Sequence, residues 1–490
     1  MLGPSKPPGL PAKPFKPLNP PGGNYVPPAG SAQGGEAANP VRNIGFRMAL
    51  VLVFIYFSNI HQLLTYVLHI NLFLLYLFGI PTLLGVVLAG GIQRTLRGRP
   101  AIYWTIFVIL MVVGVPFSSW RGGSTKDLIL YFRTVLPMLF VIAGLTFTWQ
   151  ECRSMMWAIA SGGAVIMSAA KLFRDTGGHY GERLAIEFGA ISNANDYAIH
   201  LIFVLPFIIW VALSVKSKAL KLAAWGVACF GVLLVLQTAS RGALIALVAG
   251  GLYWLFRGTM RQRICLLALG PIAAFALIAF VPRSSLIRLV AFSADETDAP
   301  SEAIVSSEAR RYLLEKSIEY TLQHPIFGVG MAQFGAFEGE HNVVVGDHGM
   351  WHDTHNSYTQ ISSECGIPAL AIYIAAIMST FLMVNRAYRR ACLRRDCEDI
   401  RVATFCIMLS ITAYCAGILF VNFGYFFYLP LMSSLVIAVS TAADAEFAGR
   451  SSGSVETPAY LGPQWRRAAD YAGGSAGRGG RTMVTTKLRP

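Results

Sequence analysis

The run YAIHLIFVLPFIIWVALSV, residues 197–215, decides the fold. It holds one ionisable side chain, His200, and matches the roughly 20 apolar residues a helix needs to cross a bilayer. Similar runs recur on both sides, at 44–60, 64–90, 101–117, 128–147, 154–171, 219–237, 242–256, 264–282, 366–385, 402–421 and 425–443. The first is interrupted by Arg47 and the 242–256 run is short. Across all 490 residues 54% of side chains are hydrophobic and 13% charged, about half the usual charge of a soluble domain. A soluble protein of this composition could not cover its surface. The reading is an all-α polytopic membrane protein with about 12 transmembrane helices.

The net charge of +14 would suggest nucleic acid in a soluble protein. In a membrane protein its distribution matters more, because cytoplasmic loops collect Lys and Arg. With the N-terminus placed inside and 12 spans, the inner loops and tails carry about +19 and the outer segments about −5. A missed or extra span would scramble this alternation. Both termini are therefore expected in the cytoplasm, and no nucleic-acid partner is expected. Residues 1–43 and 444–490, rich in Pro, Gly, Ala and Arg, read as disordered tails flanking a 44–443 membrane domain. No short apolar core follows a charged start near Met1, so no signal peptide is expected. The eight cysteines show no CxxC and no paired zinc spacing, which favours reduced thiols.

One outer segment is unlike the rest. Residues 283–364 hold 12 of the 26 acidic residues and 5 of the 9 histidines, and a polar loop of this length in a membrane protein is usually functional. Within it 307–323 reads as a helix, with Ser306 or Ser307 as cap, Glu308 in the first turn and Pro325 as stop. Leu314, Ile318 and Leu322 form a stripe at i, i+4, i+8, so the helix is expected to lie on the outer membrane face.

Several residues on this face suit phosphate chemistry. Arg241, in the turn Thr238–Gly242 between two apolar runs, is costly unless paired or lining a wet cavity. Its guanidinium fork suits a bidentate phosphate, although a snorkelling Arg would look the same. Arg310 and Arg311 sit early on the loop helix, where a solvated face is the plainer explanation. Arg183 lies in the 172–196 loop near Asn193, Asn195 and Asp196. Three arginine sites on one face can hold a diphosphate and neutralise a leaving group without a metal. His348 and His352 invite a metal reading, but Gly349 and the nearby acids argue for irregular structure, and no metal or cofactor is expected. A single histidine as general base or orienting group fits better. No Walker or dinucleotide motif and no midplane acidic relay is present, which counts against nucleotide-driven chemistry and proton-coupled transport.

Taken in order, these residues resemble a known family. Arg310 precedes HPIFGVG (324–330), followed by HNSY (355–358) and ECGIP (364–368), and upstream stand SRG (240–242) and NAND (193–196). The set is similar to the signature of the O-antigen ligase and O-antigen polymerase superfamily. Motifs cover roughly 180–385 and topology covers 44–443. Ala194 stands where Pro is common and Ala369 where Gly is common. The resemblance implies a GT-C-like glycosyltransferase of the bacterial inner membrane, with 283–364 as a periplasmic catalytic loop. Its donor would be a glycan on undecaprenyl diphosphate. Its acceptor would be a lipid A–core sugar in a ligase, or a growing glycan in a polymerase of O-antigen or exopolysaccharide. The transfer would invert the anomeric carbon and need no metal. Arg241, Arg310 and His355 are carried over as catalytic. Arg183, Arg311, Asn195, Asn356 and Glu364 are expected to help bind substrate. A lipid-linked glycan transporter and a histidine-rich metal sensor are the alternatives from other classes.

Overall fold

The computed structural model describes residues 39–173, 183–290 apart from ten positions between 261 and 278, 301–341 and 352–452. Helices dominate, and no β-strand occurs among the described residues. Nine helices there are long and apolar enough to cross a membrane, and Leu74–Leu88 is a shorter apolar helix. The protein is an all-α polytopic membrane protein. The count of twelve is not reached among these residues, partly because nine of the 19 residues of the 264–282 run lie outside them and Arg241–Arg257 spans only 17 residues.

Six of the helix starts among the described residues are written in short polar residues. Asn39 caps Pro40–Ser58, with Pro40 at the first position where its missing N–H costs nothing. Thr148 and Glu151 form a reciprocal capping box at the head of Trp149–Leu172. Asn193 caps Ala194–Ser214, Ser217 caps Lys218–Gln237, Ser240 caps Arg241–Arg257 and Asn356 caps Ser357–Cys392.

Two expectations change. The 64–90 run is not one helix: Ile60–Leu68 ends, and Leu74–Leu88 begins after a break. His69 and Phe73 both take left-handed backbone there, which a continuous helix excludes. The loop helix runs Ser301–Gln323, starting six residues earlier than expected.

Ala194–Ser214, the helix of the opening run, lies at the centre of the body. It packs against Trp149–Leu172, Lys218–Gln237 and Glu398–Gly417 and is buried over nearly its whole length. Burial on all sides explains why its sequence is apolar all round rather than striped. His200, buried within it, has a partner on each ring nitrogen. His200 Nε2 reaches the Phe57 carbonyl at 3.1 Å, so Nδ1 accepts from the Tyr428 hydroxyl at 2.7 Å. Phe57 and Tyr428 pack on that ring, and Phe203 and Tyr414 pack on them in turn. Close helix pairs use small residues, as at Gly45 against Gly85, where an added Cβ would sit 2.8 Å from the facing backbone. At the end away from the loop, buried Arg42 pairs with Glu151, and Arg390 pairs with Asp444.

Candidate functional site

The site lies where the loop helix, the start of Ala194–Ser214, the Thr238–Gly242 turn and the start of Ser357–Cys392 converge. The turn explains its own sequence. Ala239 takes left-handed backbone, and Ser240 accepts the amide of Ala243. Arg241 then heads its helix, half-buried. Gly242 packs so tightly on Phe420 that a Cβ would overlap its ring. The SRG motif therefore reads as cap, cation and close contact.

Arg183 braces this turn. Its Nε donates to the Thr238 carbonyl at 2.9 Å and its Nη2 to Asn195 Oδ1 at 2.8 Å. Arg183 and Asn195, both expected at substrate, thus bond one another and tie the preceding loop to the turn that carries Arg241. The next residue, Asp196, feels the charges of Arg310 and Asp353.

The loop helix delivers Arg310 to His355. The Arg310 charge acts on the His355 ring, as does that of His352. Burial first, then these two charges, lowers the His355 pKa from 6.5 to about 4. The ring is neutral at pH 7 and able to accept a proton or a hydrogen bond. His355 is also one of few non-glycine residues with left-handed backbone, a conformation that concentrates at functional sites. Neighbours hold it there. Thr354 Oγ1 donates to the Asn356 carbonyl, and Asn356 Oδ1 accepts the amides of Tyr358 and Thr359. Asn356, expected at substrate, is occupied as a helix cap.

The 420–424 segment is the organiser that sequence reasoning missed. Phe420 meets Gly242, and the Val421 carbonyl accepts from Ser357 Oγ at 2.7 Å. Asn422 donates to Asp353, and the Gly424 amide donates to Gln360 Oε1 at 3.1 Å. One connector between two spanning helices thus touches the strands of chain that carry Arg241 and His355. The available signal was Asn422, a lone amide between two apolar runs.

The HPIFGVG and ECGIP motifs prove to be one interlock. The Val329 amide donates to the Ser363 carbonyl at 2.8 Å, Gly330 to Glu364 at 3.0 Å, and Ile367 to Pro325 at 2.8 Å. Gly328, Gly330 and Gly366 all have positive φ. A Cβ on Gly328 or Gly366 would overlap the facing backbone. Gly366 also marks a kink within Ser357–Cys392. The Glu364 carboxylate accepts the amides of Ala332 and Phe334 at 3.1 and 3.2 Å, capping the Phe334–His341 helix. Glu364 is 1% exposed, so its geometry is that of an anchor rather than of the expected substrate contact.

Arg311 is not brought into this group. Its side chain is 82% exposed and bonds Glu315 one turn along the helix. His324 follows the loop helix with its ring edge-on to Phe337. His348 lies outside the described residues, and among these no three His, Cys, Asp or Glu are grouped to hold a metal ion.

No curated protein matches the chain. Residues 225–374, from the helix before the Arg241 turn to the middle of Ser357–Cys392, match the family described as O-antigen ligase. That stretch contains Arg241, Arg310, His355 and both halves of the glycine interlock, and the match supports the resemblance of this chain to the O-antigen ligase/polymerase superfamily.

Proposed function

We propose that the protein transfers a glycan from undecaprenyl diphosphate to an acceptor sugar hydroxyl at the periplasmic face of the inner membrane, with inversion at the anomeric carbon. The observation that carries this reading is the convergence of the Arg310 charge on His355, beside the turn that presents Arg241. A sugar diphosphate already has a good leaving group. What lowers its barrier is positive charge fixed where negative charge grows as the glycosidic bond breaks. Arg241 and Arg310 supply that charge. Neutral His355 orients the acceptor hydroxyl and takes its proton as the new bond forms. The hydroxyl attacks the face opposite the diphosphate, which leaves on its lipid. Arg183 and Asn195 support the Arg241 turn, and no metal is required.

Counted on twelve spans, the charge split of about +19 and −5 supports cytoplasmic termini and a periplasmic site. A lipid A–core acceptor makes the protein a ligase. A lipid-linked repeat as acceptor makes it a polymerase, and the site residues serve both. The test is purified protein with lipid-diphosphate glycan, with and without lipid A–core. Transfer that survives Arg241→Ala sinks the catalytic reading and leaves lipid-linked glycan transport. In cells, deletion separates the two enzymes: loss of all lipid A-linked glycan marks a ligase, and a single repeat left on the core marks a polymerase.

A further inference from the structure

The loop helix Ser301–Gln323 has two unlike faces. Leu313, Ser317 and Tyr320 are buried, two of them in a small core with Val329 and Phe334, and Thr321 bonds Ser362 of the long spanning helix. On another face Leu314, Ile318 and Leu322 are exposed, Leu322 at 70%, and Ile326 beyond the helix end at 61%. At 100° per residue, Glu308, Glu315 and Glu319 flank this strip on one side. Arg310 flanks it on the other, between the strip and the buried face.

We propose that the Leu314–Ile318–Leu322–Ile326 strip is seated in the bilayer, in the leaflet at the site's end of the molecule. The occupant is fixed by continuity. The Ile367 amide is bonded to the Pro325 carbonyl, so the strip's end abuts the spanning helix Ser357–Cys392. That helix exposes Ile367, Ile374, Met378 and Leu382 along one line. Such a line on a membrane-crossing helix faces lipid. The loop strip prolongs it from Leu314 onward, with the exposed Arg311 on the same face one turn earlier. The acids on the far flank mark the water side, as in a helix lying in the interface.

This seat deepens the glycan-transfer reading and rests on it in one respect. Arg310 then stands at the seam between lipid and protein, at the level where a lipid diphosphate sits. The donor reaches it by lateral movement within the leaflet.

The test places a benzophenone amino acid at Ile318, Leu322 or Glu319 of the full chain. Each variant is reconstituted in vesicles of phosphatidylethanolamine and phosphatidylglycerol with alkyne-tagged acyl chains. After irradiation, positions 318 and 322 should give at least fivefold more lipid adduct than position 319. Equal yields at 318 and 319 overturn the seat. So does crosslinking of 318 and 322 to a second copy or to another segment of the same chain. Transfer by Arg241→Ala is measured on the same preparations. Lipid adducts with transfer intact leave the seat standing and remove the enzymatic reading, whereas no adducts with transfer lost does the reverse.

Discussion

Lowering the pH tests the Arg310–His355 relation directly. An ordinary histidine has a pKa of about 6.5, and at pH 5 only roughly 3% of it is neutral. With its pKa lowered to about 4, His355 is roughly 90% neutral at the same pH. If the neutral ring is what acts, kcat/KM for glycan transfer at pH 5 stays within about twofold of its value at pH 7, where an ordinary histidine would cost about 30-fold. A diphosphate diester stays ionised across this range, so the donor adds no limb of its own. The assay follows transfer by purified protein between pH 4 and 8, with His355→Ala as baseline. Arg310→Gln removes one of the charges that hold the pKa down. Its His355 should titrate closer to 6.5, read as pH-dependent carbethoxylation of the 355 peptide by mass spectrometry, since only neutral imidazole reacts. The sign for stability follows. Between about pH 4 and 6.5 the unfolded chain binds a proton at this site that the folded chain refuses, so stability falls as pH drops through that window. An acid limb centred near 6.5 in the native protein, unmoved by Arg310→Gln, would refute the reasoning.

Other outcomes follow from the same geometry. Arg241→Ala and Arg310→Ala should each lower transfer by about 10²- to 10³-fold in single-turnover assays, with elution from size exclusion unchanged. Arg311→Ala should leave transfer within twofold of wild type, because an exposed i,i+4 ion pair is worth about 0.3–0.5 kcal/mol and touches nothing else in the site. Gly328→Ala or Gly366→Ala should lower the thermal midpoint sharply or abolish folding, since both combine positive φ with backbone overlap. Gly226→Ala, with open space around it, should raise stability by up to about 1 kcal/mol. Asn422→Ala should reduce transfer more than it reduces stability, by releasing Asp353 beside His355.

Features that depend on local chemistry were legible in the sequence. The opening run is apolar for its full length because its helix is buried on every side, and short polar residues such as Asn193, Ser240 and Asn356 mark the helix starts that follow them. Hydropathy alone failed at 64–90, because transfer free energy does not register chain direction and the break at His69–Phe73 uses no Gly or Pro. The loop helix starts before its expected cap, with Glu302 and Glu308 both within it. Arg310 and Arg311 are indistinguishable as letters. One hundred degrees of helical rotation separate them, and only packing of the helix decides which one meets His355. Glu364 looked available because carboxylates often serve chemistry, but two backbone amides 32 and 30 residues away along the chain, those of Ala332 and Phe334, claim it. The 420–424 organiser acts through tertiary bonds, which no local pattern encodes.

The glycine interlock separates how the loop is mounted from what the loop does. Its bonds run from backbone to backbone, and such bonds are indifferent to the side chains around them. The mount at 328–330 and 363–367 therefore keeps its register through side-chain changes in the loop it carries, provided the Phe334 core and the Asn422 bond to Asp353 are kept. A family of loops with different acceptor preferences could be carried on one unchanged membrane body, which makes this joint the natural boundary for building chimaeras.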